Sequence, residues 1–350
     1  MGTAPVSQAA TPSNRSNPAS QAHEALAAQA RRIRPIEIPT LVVAVAIYCG
    51  FALVTYHHAA LPNWLLLILG GYLVAWHGSL QHEVIHGHPT PWNWLNEIIV
   101  FPSLWLVIPF DSYRESHLAH HRDENLTDPA LDPESFYVTA REWRRAGPLG
   151  RAFLTLHNCL LGRLILGPLW ILLLQSRAIF KAIISGDLKA LFGWAKHGLA
   201  ICLVLVWVLE VSGLPLWKYL LFFVYPGLAL TLLRSFAEHR AVPSVSARTA
   251  IQQAEWPFAL LFLNNNLHAL HHLQPGLAWY RLPAVWRALR PDLNAASGRE
   301  SGELFRGYWE IVLRYLLWPK EPPLHPAERW RLAGKPDDIS GSMLQNPGEA

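Results

Sequence analysis

Eight of the chain's 17 histidines fall in three tight groups. His82 and His86 stand in "QHEVIHGHPT", His117, His120 and His121 in "SHLAHHRDE", and His268, His271 and His272 in "NNNLHALHHLQP". On a helix, residues three and four apart share a face, with roughly 5–6 Å between Cβ atoms, so each group turns its imidazoles in one direction. Each group is half of a metal site. His-Glu-x-x-His on its own is the spelling of a zinc peptidase, with Glu83 as the base that activates water. A single zinc needs about three or four ligands, so that reading leaves the other two groups unexplained. Eight imidazoles are too many for one first-row ion and suit two. Iron is the imidazole-binding metal that activates dioxygen at a dinuclear centre and then attacks an unactivated C–H bond. Zinc, copper or manganese would satisfy the same spelling. A non-enzymatic metal transporter or sensor is a third class, but transport sites usually lie near mid-membrane on broken helices. Isolated His57, His58, His157 and His197 read as histidines scattered at headgroup level.

The elements that must position these groups belong to a membrane protein. Only 15% of the 350 residues are charged, 51% are hydrophobic and 16 are Trp, which points to lipid as solvent. Residues 38–56, 64–80 and 216–233 are apolar enough to cross a bilayer, and 198–209 crosses if its Lys196 end sits at the headgroups. The connectors "HHAALPN" and "EVSGLP" make two antiparallel hairpins and contain no Lys or Arg. Arg31, Arg32 and Arg34 precede the first crossing, ten basic residues lie between Gln81 and Gly193, and Arg234, Arg240 and Arg248 follow the last. This bias puts both termini and the middle segment in the cytoplasm, in the inner membrane if the source is bacterial. Residues 95–110, interrupted by Pro102, and 160–174, flanked by Arg163 and Arg177, read as interfacial or re-entrant. All three histidine groups then meet at one depth. The expected fold is all-α: four transmembrane helices in two hairpins under a cytoplasmic, histidine-rich helical cap.

Residues 1–30 are rich in Ala, Ser, Gln and Pro and read as a disordered tail, 31–318 as the membrane domain, and 319–350 as a flexible C-terminal tail. The net charge of +4 is accounted for by flanks facing anionic headgroups, with no sign of nucleic-acid binding. Cys49, Cys159 and Cys202 are isolated and read as small apolar fillers.

With three histidine boxes in this order, two hairpins and a long segment between them, residues 35 to 290 resemble the membrane fatty acid desaturase and hydroxylase superfamily. That resemblance implies that His82, His86, His117, His120, His121, His268, His271 and His272 bind two irons. It adds His239 of "RSFAEHR" as a ninth ligand. In some acyl-CoA desaturases an Asn one turn before that histidine approaches the metal through water; here the position is Ser235. Metal-bound imidazoles usually donate their second N–H to a carboxylate or carbonyl. Glu83 and Glu238 are adjacent to proposed ligands and are the preferred partners, ahead of Asp123, Glu124, Asp128 and Asn264, Asn265 and Asn266. His88 points off the shared helical face and reads as supporting or surface.

The implied activity is O2-dependent oxidation of a long acyl chain, with desaturation as the expected outcome. Hydroxylation, carotenoid ketolation or decarboxylation to a terminal alkene use the same boxes. Trp76, Trp105 and Trp279 are candidate tunnel-lining residues, although each taken singly reads first as an interfacial-belt position. Electrons must come from outside, and a ferredoxin- or rubredoxin-like donor is expected on the basic surface around Arg122, Arg141, Arg144 and Arg145.

Overall fold

The computed structural model describes residues 36–122, 125–254, 256–296 and 303–328. The expected tail at residues 1–30, Asp123, Glu124 and residues 329–350 lie outside the described residues. The architecture is helical. The first helix, α1 (Ile38–Tyr56), opens with Pro39 in its first turn, where a missing N–H leaves no bond unmade. One 3-10 turn and Pro62 reverse the chain into α2 (Asn63–Ile85), which ends at the first histidine pair. Next come α3 (Asn93–Ile99), α4 (Phe110–His120), α5 (Ala140–Arg145), α6 (Gly147–His157) and α7 (Leu160–Ser185). The second hairpin is α8 (Leu188–Val211) and α9 (Leu216–Glu238), and both of these helices contain a π-helical stretch near their connector. Then follow α10 (Phe258–Leu261), α11 (His268–Leu273), α12 (Leu282–Ala296) and α13 (Tyr308–Tyr315). Two-residue strands Ile251–Gln252 and Leu304–Phe305 pair in parallel.

Among the described residues, four helices are long and apolar enough to span a membrane: α1, α7, α8 and α9. The protein is an integral membrane protein. This set differs from the expected one at a single member. Residues 64–80 do fold as one helix, but α2 sits inside the bundle and carries His77, Gln81, His82 and Glu83 as buried polar groups, which dilutes its apolar character. Residues 160–174, expected at the interface, belong to a helix of 26 residues, about 39 Å long. Both ends of α7 nevertheless lie on the histidine side. At its start the Leu161 N–H donates to Leu316 O at 3.0 Å, in the segment leading to Lys320, which bonds the carbonyl of His239. Just past its end, Lys189 bonds Glu115 of α4 at 2.9 Å. Both ends of α7 are thus tied to segments that lead to the histidines, and α2 is the helix packed against α1.

Close packing fixes α2 against α9. A Cβ on Gly70 would lie 2.7 Å from the Phe223 ring, and one on Gly71 would lie 2.8 Å from Cβ of Pro226. Only glycine lets these backbones approach so far. Ile47, Leu66, Val74, Trp105, Tyr219 and Phe223 fill the core around this contact.

The segment 319–328, expected to be flexible, packs on the body. The Val138 N–H donates to Pro323 O at 3.0 Å, the Ala140 N–H to Glu328 at 2.9 Å, and Tyr137 bonds Glu321. Its low apolar content hides it from a composition argument, because its anchors are polar.

Candidate metal centre

The three histidine groups converge. The first comes from the last turn of α2 (His82) and its C-cap (His86), the second from the last turn of α4 and its C-cap (His121), and the third from α11. His239 is the first residue past α9, where the chain turns extended. Together they form two clusters, His82, His86, His117, His121 and His271, and His120, His239, His268 and His272, and within each cluster the ligand atoms all lie within 4.8 Å of one another. Each cluster can hold a metal ion. His120 and His121, neighbours in sequence, go to different clusters, and His121 stacks on His272 across the divide at 4.1 Å between centroids.

The donor atoms show what the clusters are built for. His117 Nδ1 pairs with Glu134 Oε2 at 3.2 Å, His120 Nδ1 with Asp132 Oδ1 at 2.9 Å and His268 Nδ1 with Asn265 Oδ1 at 3.3 Å. Carboxylate and amide oxygens accept, so each Nδ1 carries the proton and each Nε2 turns a lone pair inward. Those lone pairs meet at short range: His117 Nε2 is 3.1 Å from His86 Nε2, and His120 Nε2 and His268 Nε2 are 3.0 and 2.8 Å from His239 Nε2. His239 has at most one proton there for two acceptors. His82 Nε2 is buried without any hydrogen-bond partner. Imidazole nitrogens on a common ion at about 2.1 Å lie about 3.0–3.4 Å apart, so a cation in each cluster matches the spacing and removes the repulsion.

Electrostatics agree. Burial, reinforced by the neighbouring imidazoles, pushes His121 down to about 2 and holds His239, His268, His271 and His272 well below the ordinary imidazole value. They are neutral at physiological pH, the form that ligates. His120 is the exception. Burial pulls it down, but the bond to Asp132 and the charges of Glu134 and Asp132 more than offset this.

The family model for fatty acid desaturases matches residues 59–301, which include all nine histidines. The chain belongs to the fatty acid desaturase family. No curated protein matches it.

In this desaturase-family chain the supporting groups are partly those expected. Glu238 lies 3.4 Å from His268 Nδ1, accepts from Asn265 at 2.7 Å and pairs with Arg234 at 3.3 Å. Glu83 is 3.8 Å from His82 Nδ1 and accepts the Trp279 N–H at 3.2 Å. Of the asparagines, Asn265 reaches the cluster, while Asn264 bonds Trp279 O and Asn266 bonds Gln252 O. Asp128 accepts from Ala130 in a turn. His88 is buried and pairs with Glu37 at 2.7 Å, away from the clusters. Ser235 bonds Leu232 O within its own helix. Of the histidines read as scattered, His157 and His197 are buried.

Asp132 and Glu134 were missed. They lie 12 and 17 residues beyond the imidazoles they hold, in a loop with no periodicity to connect them.

One cavity reaches the centre, and a second adjoins that cavity. One of about 470 Å³ is polar, reaches His86 and is lined by Asn93, Glu97 and Arg114. A second of about 230 Å³ is mostly apolar and lined by Trp94, Ile98, Phe101 and Ala200, with Glu97 and Phe110 common to both. Trp76, Trp105 and Trp279 line neither. Trp105 is core, its indole N–H donating to Ile108 O, and Trp279 bonds Thr40.

Proposed function

We propose that the chain is a membrane-bound, O2-dependent di-iron oxidoreductase that introduces a double bond into a long acyl chain. One observation carries the reading: five imidazoles beside four, with inward lone pairs, in a member of the fatty acid desaturase family. His82, His86, His117, His121 and His271 would hold one iron and His120, His239, His268 and His272 the other. Bound there, iron supplies dioxygen activation and the oxidising power to remove hydrogen from an unactivated methylene.

The chain's own residues do the positioning. Asp132, Glu134 and Asn265 keep Nδ1 protonated and so keep each Nε2 free to ligate. Glu238 and Glu83 place carboxyl groups beside His268 and His82. The apolar cavity at Phe101, Phe110 and Ile98 suits a stretch of acyl chain, and the polar cavity at His86 suits water and dioxygen traffic. Holding one carbon among many equivalent ones is the protein's main contribution. Electrons would arrive from a ferredoxin- or rubredoxin-like donor docked at Arg122, Arg141, Arg144 and Arg145, all of them exposed.

The peptidase reading finds less support. His82 and His86 share their cluster with three further imidazoles, and the Glu83 carboxylate is engaged with the Trp279 backbone. Hydroxylation, ketolation and decarboxylation share the donor set. The test is metal analysis of purified protein followed by mass spectrometry of products from labelled acyl substrates. About two irons per chain and a product lighter by two hydrogens support the proposal. One zinc with proteolysis, or a product that gains oxygen, overturns it.

A further inference from the structure

Beyond the matched family region, residues 303–328 carry a surface that the oxidative function does not use. Helix α13 buries Tyr308 and Ile311 and half-buries Tyr315, with Tyr308 against Phe258 and Tyr315 against Phe236 and Phe305. Its opposite side does the reverse of what an aqueous helix does. Trp309 is 77% exposed, Leu313 83%, Leu317 66% and Trp318 73%. Trp309 and Leu313, four residues apart, share one face of α13, and Leu317 and Trp318 extend the apolar stripe just past its C-cap Leu316. The charges beside the stripe are engaged: Arg314 pairs with Glu303 at 2.8 Å and with Glu310.

The geometry points to this stripe as an in-plane lipid anchor, buried at the boundary between headgroups and acyl chains of the membrane that holds the protein. What decides the occupant is continuity. The end of α13 is bonded to the start of α7, Leu161 N–H to Leu316 O at 3.0 Å and Cys159 Sγ to Leu317 O at 3.3 Å. From there α7 shows its own exposed row, Leu161, Ile165, Leu169 and Leu172, on a helix whose two ends lie on the histidine side. Both rows therefore border one lipid surface. Tryptophans at the edges of the stripe suit the interface, where the indole ring is apolar and its N–H finds water. A soluble acidic partner finds no free cation on the stripe.

The anchor leads directly to the metal centre. Two residues past Trp318, Lys320 donates to the carbonyls of Phe236 and His239. The lipid surface thus sets the depth of His239. This inference stands without iron, and its test needs none.

A nitroxide at Leu313→Cys, in a chain also carrying Cys49→Ala and Cys202→Ala, is read in phosphatidylcholine–phosphatidylglycerol nanodiscs. A label at Glu115→Cys serves as the control on the histidine side. The expected result is a ratio of oxygen to nickel-chelate collisions severalfold higher at 313 than at 115, repeated at Leu317→Cys. A water-like ratio at both stripe positions overturns the proposal. So does spin–spin broadening relieved by unlabelled chain, which would make the occupant a second copy.

Discussion

A histidine ring has two nitrogens, and in this centre they are given different tasks by neighbours that never touch the metal position. Asp132 receives the Nδ1 proton of His120 at 2.9 Å, so Asp132→Asn keeps the shape and removes the charge. We expect a loss of about 10–100-fold in metal affinity, measured by competition with a chelator; unchanged affinity would remove Asp132 from the account. His239 stands between two inward lone pairs, so His239→Ala should leave the protein folded while iron falls from about two to about one per chain and product disappears. Retained product would remove His239 from the ligand set. Acid acts on the metal-free form through the same rings. His121, His239, His268, His271 and His272 are depressed in the folded state, whereas in the unfolded chain they titrate near about 6.5. Below that pH the unfolded state takes up protons that the folded state refuses, so stability is full above it and lost as pH falls. Melting the metal-free protein at about pH 8 and about pH 5.5 should give a lower Tm in acid; an equal Tm would contradict the buried, neutral cluster. The three histidine groups were legible in the sequence because spacing on a helix encodes direction, whereas His239 came only from the family resemblance. Asp132 and Glu134 were not legible, because a loop places residues by tertiary contact alone.

Elements carry the next layer of specificity, and the contact of α2 with α9 is the tightest of them. Gly71→Ala puts a methyl 2.8 Å from Pro226, and overpacking of this kind costs about 1–3 kcal/mol. Thermal unfolding in detergent should register it as a lower Tm, and an unchanged Tm would mean that the helices yield without strain. Hydropathy found α1, α8 and α9 because their faces meet lipid. It placed α2 from its first three-quarters, since the last turns carry the buried polar groups of the centre. Residues 160–174 read as interfacial from their Arg163 and Arg177 flanks, while the full length of α7 was not legible, because residues 175–185 are less apolar. Segment 319–328 escaped for a different reason: Glu321, His325 and Glu328 are buried through polar partners, and no periodic pattern announces such burial.

At the scale of the whole molecule, charge and access are one-sided. Arg141, Arg144 and Arg145 cluster on short α5, exposed, and Arg122 follows the second histidine group. If an acidic donor docks there, turnover should fall as salt is raised, because rim charges act mainly on encounter. Flat kinetics across ionic strength would exclude that docking face. Among the described residues the other pole is nearly bare, with residues 57–62 and 212–215 linking the helices there. A protease sealed on that face of a vesicle would find almost nothing to cut, and an affinity reagent raised against intact cells or vesicles of that orientation would find almost nothing to grip. Handles, epitopes and inhibitors for this protein have to approach from the pole where the imidazoles are.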